Sequence, residues 1–322
     1  MSGRPAGEGS GSSSGNKRSG NDLGDGYPLG GRMRLTHGRA LWGMVAVTLM
    51  WSTAGVVTRH LEQARSFEVT FWRSLFTALA LAVLLPLFQG RGVWSRLRHA
   101  PRALWASGVC WSVMFTAFMV ALTLTSVANV LVTMAAGPLL TALGARLFVG
   151  QTIPARTWWA ICVGGLGIGW MYGTQIAEGN LVGTLVAFAV PVAGAANWTI
   201  TQRSHAQGED IDLVPAVLVG AVISVLVTLP LAWPFAASPR DLGLLAFLGV
   251  VQLAIPCSLA VVCARVLKAP EISLLALLEV IFGIVLVWVG AGEAPGPNVL
   301  AGGALVLGAL VVNELLGWRQ RT

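Results

Sequence analysis

Residues 122–170 read LTLTSVANVLVTMAAGPLLTALGARLFVGQTIPARTWWAICVGGLGIGW. Two apolar runs, Ala128 to Phe148 and Thr157 to Gly173, are separated here by a short connection that holds Gly150, Gln151 and Pro154. Each is close to the roughly 17 to 25 residues that a helix needs to cross a bilayer. Further runs of this kind lie on both sides: Ala40 to Thr58, Val69 to Phe88 and Ala103 to Leu122 before it, and Leu181 to Ile200, Leu213 to Phe235, Leu242 to Val266, Ile272 to Val289 and Val299 to Leu316 after it. The expected fold is an all-α polytopic membrane protein with ten transmembrane helices.

Composition agrees. Hydrophobic residues make up 55% of the chain and charged residues 11%, whereas soluble domains carry about 25% charge. Most of the charges fall in the tails and short connections, so the basic balance speaks of topology and not of nucleic acid. With the amino terminus in the cytoplasm, Arg4, Lys17, Arg18, Arg32, Arg34, Arg39, Arg91, Arg96, Arg98, Arg102, Arg146, Arg156, Arg203, Arg265, Lys268, Arg319 and Arg321 fall inside or at the inner boundary. Only Arg59, Arg65 and Arg240 fall outside, a bias that sets insertion direction. The expectation is a plasma (inner) membrane protein with both termini cytoplasmic.

Residues 1–38 are rich in Gly and Ser and nearly free of large apolar side chains, which predicts a disordered tail. No apolar segment with a cleavage site precedes Ala40, so the first span is expected to insert as a signal anchor. Cys110, Cys162, Cys257 and Cys263 all lie inside spans without C-x-x-C spacing or His neighbours, which favours apolar filler over disulfides or a metal.

The second five spans read as a copy of the first five. Leu41, Gly43 and Ala46 correspond to Leu181, Gly183 and Val186, and Gly150, Gln151 and Pro154 correspond to Gly292, Glu293 and Pro297. Five is an odd number, so the second copy must enter the membrane upside down. Inverted repeats place a site near the midplane where the halves meet, and rocking about that site gives alternating access. The expected organisation is a first repeat over residues 39–174, a second over 179–317, and a short tail over 318–322.

The opening stretch, Leu122 to Trp170, resembles the EamA repeat of the drug/metabolite transporter superfamily, and Leu242 to Leu310 resembles its second copy. The resemblance implies ten helices in two inverted five-helix halves, and export of amino acids, metabolites or amphipathic drugs. Where the family has Gly-Glu after the fourth and ninth spans, this chain has Gly150-Gln151 and Gly292-Glu293. Where the family often has Glu-Pro in the ninth span, Glu279 is followed by Val280, while the first half keeps Pro138.

A charge near the bilayer centre is costly, so it normally faces a partner or a wet cavity. Glu279 lies roughly 12 Å into the ninth span at about 1.5 Å per residue, and Arg73 lies a few residues inside the outer end of the second. Glu279 is read as binding a substrate ammonium or carrying a coupling proton, and Arg73 as attracting a carboxylate or setting the protonation of an acid nearby. The alternative is that each is a structural charge held against another helix. Uncharged candidates for the substrate site are Trp51, Trp111, Asn129, Asn197, Trp198 and Gln252, with Ser52, Thr53, Ser112, Thr133 and Ser258 beside them. The amides need hydrogen-bond partners in hydrocarbon, and interhelical bonding accounts for them as well as ligand binding does. The three tryptophans lie deeper than the interfacial belt and suit an aromatic-lined cavity for a planar or cationic ligand. Arg146, Glu271, Glu293 and Glu314 sit at span ends, where anchoring or capping suffices.

Pro138, Pro191 and Pro256 interrupt the fourth, sixth and eighth spans and permit kinks. Gly165 with Gly169, and Ala304 with Gly308, are small-residue pairs expected to allow close backbone approach in the fifth and tenth spans, with a weak homodimer as the lesser reading. His37, His60, His99 and His205 lie in the tail or connections, and there is no H-E-x-x-H or Walker loop. An enzyme is therefore not expected, nor a cofactor. The expected partners are the lipid bilayer, a small-molecule substrate and protons as the coupling ion. An intramembrane lipid-modifying enzyme and a passive facilitator or channel are the alternatives.

Overall fold

The computed structural model describes residues 36–64, 66–90, 92–150, 152–177, 181–206, 214–264, 266–267 and 269–319. Of the 1–38 tail, residues 1–35 lie outside them, and His37 and Gly38 already belong to the first helix. The elements are α1 (His37–Thr58), α2 (Ser66–Gln89), α3 (Val93–Arg98), α4 (Arg102–Leu124), α5 (Val127–Met134), α6 (Gly137–Val149), α7 (Ala155–Ala177), α8 (Leu181–Ala206), α9 (Val214–Ala232), α10 (Pro239–Phe247), a π segment (Leu248–Ala254), α11 (Ile255–Ala264), α12 (Ala269–Ala291) and α13 (Pro297–Arg319). Among the described residues there is no strand.

Seven helices among the described residues are long and apolar enough to cross a bilayer, counting Val127–Phe148 and Pro239–Ala260 as one each, and Leu181–Asn197 and Leu278–Ala291 are shorter apolar stretches. Large side chains such as Trp42, Leu87, Trp159 and Val289 stand outward. An apolar exterior of this extent marks a surface made for lipid. The molecule is a multi-pass membrane protein.

Local sequence sets the helix ends. The Thr36 side chain accepts from the Arg39 N–H at the start of α1. Ser238 and Asp241 form a capping box around Pro239 at the start of α10. After α6 and after α12 the chain turns through Gly150 (φ 74°) and Gly292 (φ 69°), left-handed positions that favour glycine. These two glycines are the ones paired by the internal repeat.

The fourth apolar run is broken. Pro138 cannot donate a backbone hydrogen bond, and Ala135 and Ala136 form a turn between α5 and α6. The eighth run bends differently: the π segment ends just before Pro256, and the Ile255 N–H reaches back five residues to the Val250 carbonyl. A proline ring clashes with the carbonyl four residues earlier, here that of Gln252, and the wider π turn makes room for it. Pro191 lies inside an uninterrupted α8, so the expected interruption of the sixth span is not seen.

Packing joins early helices to late ones. The first helix, α1, packs on α12, α11 and the π segment; α2 packs on α9 and the π segment; α4 packs on α8 and α9. The broken α5–α6 pair lies on α8, and α7 lies on α13. Close approach of α4 and α9 depends on Gly108 and Gly220: a Cβ on Gly220 would stand 2.4 Å from Trp111 Cβ, and one on Gly108 2.4 Å from a Val219 methyl. Contact of α7 with α13 runs through Gly167, whose Cβ would meet the Gly302 carbonyl at 2.7 Å. The expected pair Gly165 and Gly169 has open space instead and lines a cavity of about 520 Å³ between α6, α7 and α8; a Cβ added at Gly308 would likewise meet nothing within 4 Å. Small side chains occur on both faces of α7, and the face that meets α13 is the one carrying Gly167.

Candidate functional site at the meeting of early and late helices

Arg73 projects from α2 and is 2% exposed. Its Nε and Nη2 both donate to Gln252 Oε1, at 3.2 and 2.9 Å. Gln252 stands on the π segment and donates from Nε2 to the Trp51 carbonyl of α1 at 3.1 Å. One amide therefore ties three elements together. The approach of α2 to the π segment is close enough that a Cβ on Gly249 would lie 2.6 Å from Phe76 Cβ and 2.7 Å from the Arg73 carbonyl. Thr77 adds a hydrogen bond to the Gly249 carbonyl at 3.1 Å.

The guanidinium lies 5.8 Å from the centroids of both Phe115 and Phe118 on α4, an arrangement in which ring faces partly replace the lost hydration of the cation. Its third nitrogen, Nη1, is buried without a hydrogen-bond partner. Trp111 stands one turn from Phe115, with ring centroids 5.5 Å apart, and its Nε1 is likewise buried and unpartnered. Facing Arg73 electrostatically are Cys257 of α11 and Glu279 of α12. The Trp51 indole N–H is directed at the Cys257 thiol. Glu279 is only partly buried, and among the described residues no hydrogen bond reaches its carboxylate. The arrangement thus offers two donors without acceptors and one carboxylate, walled by Trp51, Trp111, Phe115 and Phe118.

Of the residues singled out from sequence, Trp51, Arg73, Trp111, Gln252 and Glu279 converge here. Arg73 is far more enclosed than a position near a span end suggested. Asn129 and Asn197 are elsewhere. Asn129 is on α5, where its Nδ2 donates to Thr125 Oγ1 at 3.1 Å and to Thr184 Oγ1 at 2.9 Å. Asn197 accepts from Ser107 Oγ at 2.6 Å and pins α8 to α4. The Trp198 side chain lies outside the described residues.

Sequence reasoning missed two carboxylates. Glu68 of α2 and Asp241 of α10 are fully buried. Asp241 accepts from the backbone N–H groups of Glu62, Gln63 and Ala64 in the α1–α2 loop at 2.9 to 3.0 Å. Glu68 accepts from Ala236 and Ala237 in the α9–α10 loop and from Trp72 Nε1. Each loop is thus held by the acid that follows the other. At the same end Glu293, expected only to anchor a span end, pairs with Arg59 Nε at 2.5 Å and accepts from the Val127 N–H at 2.8 Å. The Ser-Pro-x-Asp capping signal at 238–241 was the one cue to Asp241; nothing local marks Glu68.

Residues 38–173 match the family model described as the EamA-like transporter family. The matched stretch contains the Leu122–Trp170 segment that carries the resemblance. No curated protein matches the chain. A solved crystal structure, described only as that of a protein, has 19% sequence identity and a TM-score of 0.60, covering 87% of this chain and 99% of its own. At that identity the likeness shows a shared fold.

Proposed function

We propose that this protein is a secondary transporter that exports a small organic solute by alternating access, with two inverted five-helix repeats rocking about the Arg73–Gln252–Glu279 constellation. The contact pattern supports the two-repeat reading. Exchanging each span with its counterpart turns the packing of α1 on α11 and α12 into that of α8 on α4 and α5–α6, and returns the α2–α9 and α7–α13 pairs to themselves. Proteins built on inverted repeats bind their cargo where the repeats touch.

The observation that carries the reading is the unsatisfied chemistry of that contact. Arg73 Nη1 and Trp111 Nε1 are buried donors that lack acceptors, and Glu279 is an acceptor within electrostatic reach. A zwitterion with an apolar or planar body meets all three needs: its carboxylate takes the donors, its ammonium takes Glu279, and its body lies on the aromatic walls. An amino acid or similar metabolite has that form. Glu279 also serves as the proton carrier, exchanging a proton for the ammonium. The distribution of Lys and Arg supports a plasma membrane orientation with both termini cytoplasmic, which puts the Glu68, Asp241 and Glu293 contacts on the outer side.

Inside-out vesicles test this. With a labelled amino-acid and metabolite panel, a proton gradient is expected to drive uptake by the wild type, and Glu279→Gln is expected to lose the gradient-driven part while still exchanging substrate. Gradient-driven uptake by the variant equal to wild type would remove Glu279 from coupling. Uptake that never exceeds equilibrium in the wild type would favour a passive facilitator.

A further inference from the structure

We infer that the break between α5 and α6 forms, with α8, a binding site for a monovalent cation of sodium size. The inference goes beyond the transport reading above and uses none of the residues of its central constellation. Asn129 Oδ1 and Thr133 Oγ1 are both fully buried and both lack a hydrogen-bond partner. They are four residues apart on α5 and so share one face.

Thr133 is unlike comparable residues in the molecule. Thr58, Thr70, Thr77, Thr199, Thr228 and Ser258 each donate to the carbonyl four residues earlier in their own helix. Thr133 does not, and its oxygen is left without any partner. Its level along α8 follows from register. Asn129 Nδ2 bonds Thr184 of α8, and a Cβ on Gly137 would lie 4.0 Å from Pro191 Cβ. Between those two contacts, Thr133 stands level with Ala187 and Phe188. The Ala187 carbonyl is the one that Pro191, having no N–H, cannot satisfy, and Ala187 is fully buried.

Two buried oxygens without partners thus lie on α5, which packs on α8 where Pro191 leaves the Ala187 carbonyl without its helical donor. Half-helix ends and unwound carbonyls are the means by which transporters hold small cations in hydrocarbon. All the donors are hard oxygens, which suits an alkali or alkaline-earth ion. Neither α5, α6 nor α8 carries a carboxylate. These three helices offer a divalent ion no counter-charge, and Glu279 of the neighbouring α12 faces Arg73, so a single positive charge is the better match.

The test uses the full-length protein in nanodiscs, comparing thermal unfolding in sodium chloride with choline chloride at equal ionic strength, together with ²²Na⁺ binding. Sodium is expected to raise the Tm of wild type where choline does not. Thr133→Val should weaken sodium binding at least about ten-fold, and Thr133→Ser, which keeps the oxygen, should retain it. Equal Tm in both salts with no ²²Na⁺ binding, or an unaltered affinity in Thr133→Val, would overturn the inference. If Thr133→Val does not fold, ²²Na⁺ binding to wild type and Thr133→Ser decides, since both must bind. Failure here leaves the Glu279 experiment untouched, because that experiment reads proton-driven uptake and its variant lies outside this second place.

Discussion

Arg73 shows how a charge is kept in the membrane without a carboxylate in contact. Two of its nitrogens share one amide oxygen, its face lies on two phenyl rings, and the remaining nitrogen waits without a partner. Gln252 carries much of this arrangement. Gln252→Leu keeps the volume but leaves the guanidinium without its acceptor, and a hydrogen bond to a charged group is worth about 1.5 to 3 kcal/mol. The variant should lose stability of that order, seen as a lower Tm in detergent, and Gln252→Glu should keep the contact. Trp111→Phe is the milder case. It removes one orphan donor, so it should leave stability nearly unchanged while weakening solute affinity, and equal affinity in an equilibrium binding assay would take Trp111 out of the site. Residue type and depth were enough to single out these side chains, because a polar group in an apolar run stands out locally. Which of them meet was not legible: Asn129, Asn197 and Gln252 look alike in sequence, and only the packing of distant helices sends one to Arg73, one to Thr184 and one to Ser107.

Elements were easier to read than their irregularities. Long apolar runs announce spans because hydrophobicity is summed over neighbours along the chain. The break at Pro138 followed from proline chemistry. Three prolines within spans nevertheless gave three outcomes: a turn before Pro138, a continuous helix through Pro191, and a π segment before Pro256. The third also sets Gly249 against α2, a tertiary contact that no window of sequence contains. Gly220→Ala places a Cβ 2.4 Å from Trp111 Cβ. Overpacking of this kind costs about 1 to 3 kcal/mol, so the variant should show a lower Tm and a displaced Trp111, visible as a changed intrinsic fluorescence.

Across the whole molecule, the crossed carboxylates give one end a stiffness that the helices alone do not supply. Asp241 holds the α1–α2 loop and Glu68 holds the α9–α10 loop, so these two connections open together or not at all. Asp241→Asn replaces a charged acceptor of several backbone N–H groups by a neutral one and should speed hydrogen exchange at Glu62, Gln63 and Ala64 by roughly ten-fold or more, equivalent to about 1.4 kcal/mol. It should also raise exchange at Ala236 and Ala237, which Asp241 does not touch. Protection at Ala236 and Ala237 equal to wild type would show that the two loops move separately. None of this was visible along the chain, since each acid and the loop it holds are separated by most of the sequence.

The π segment has one more consequence. A π turn contains one residue more than an α turn, so the stretch from Leu248 to Ala254 behaves as a single-residue insertion in an otherwise regular rod. Deleting one residue there would let the ladder close, and at 3.6 residues per turn it would swing the upstream face by about 100° relative to everything after Ile255. Gln252 and Cys257 both now face Arg73; in the shortened rod they would point apart, with both side chains still present and the meeting place gone.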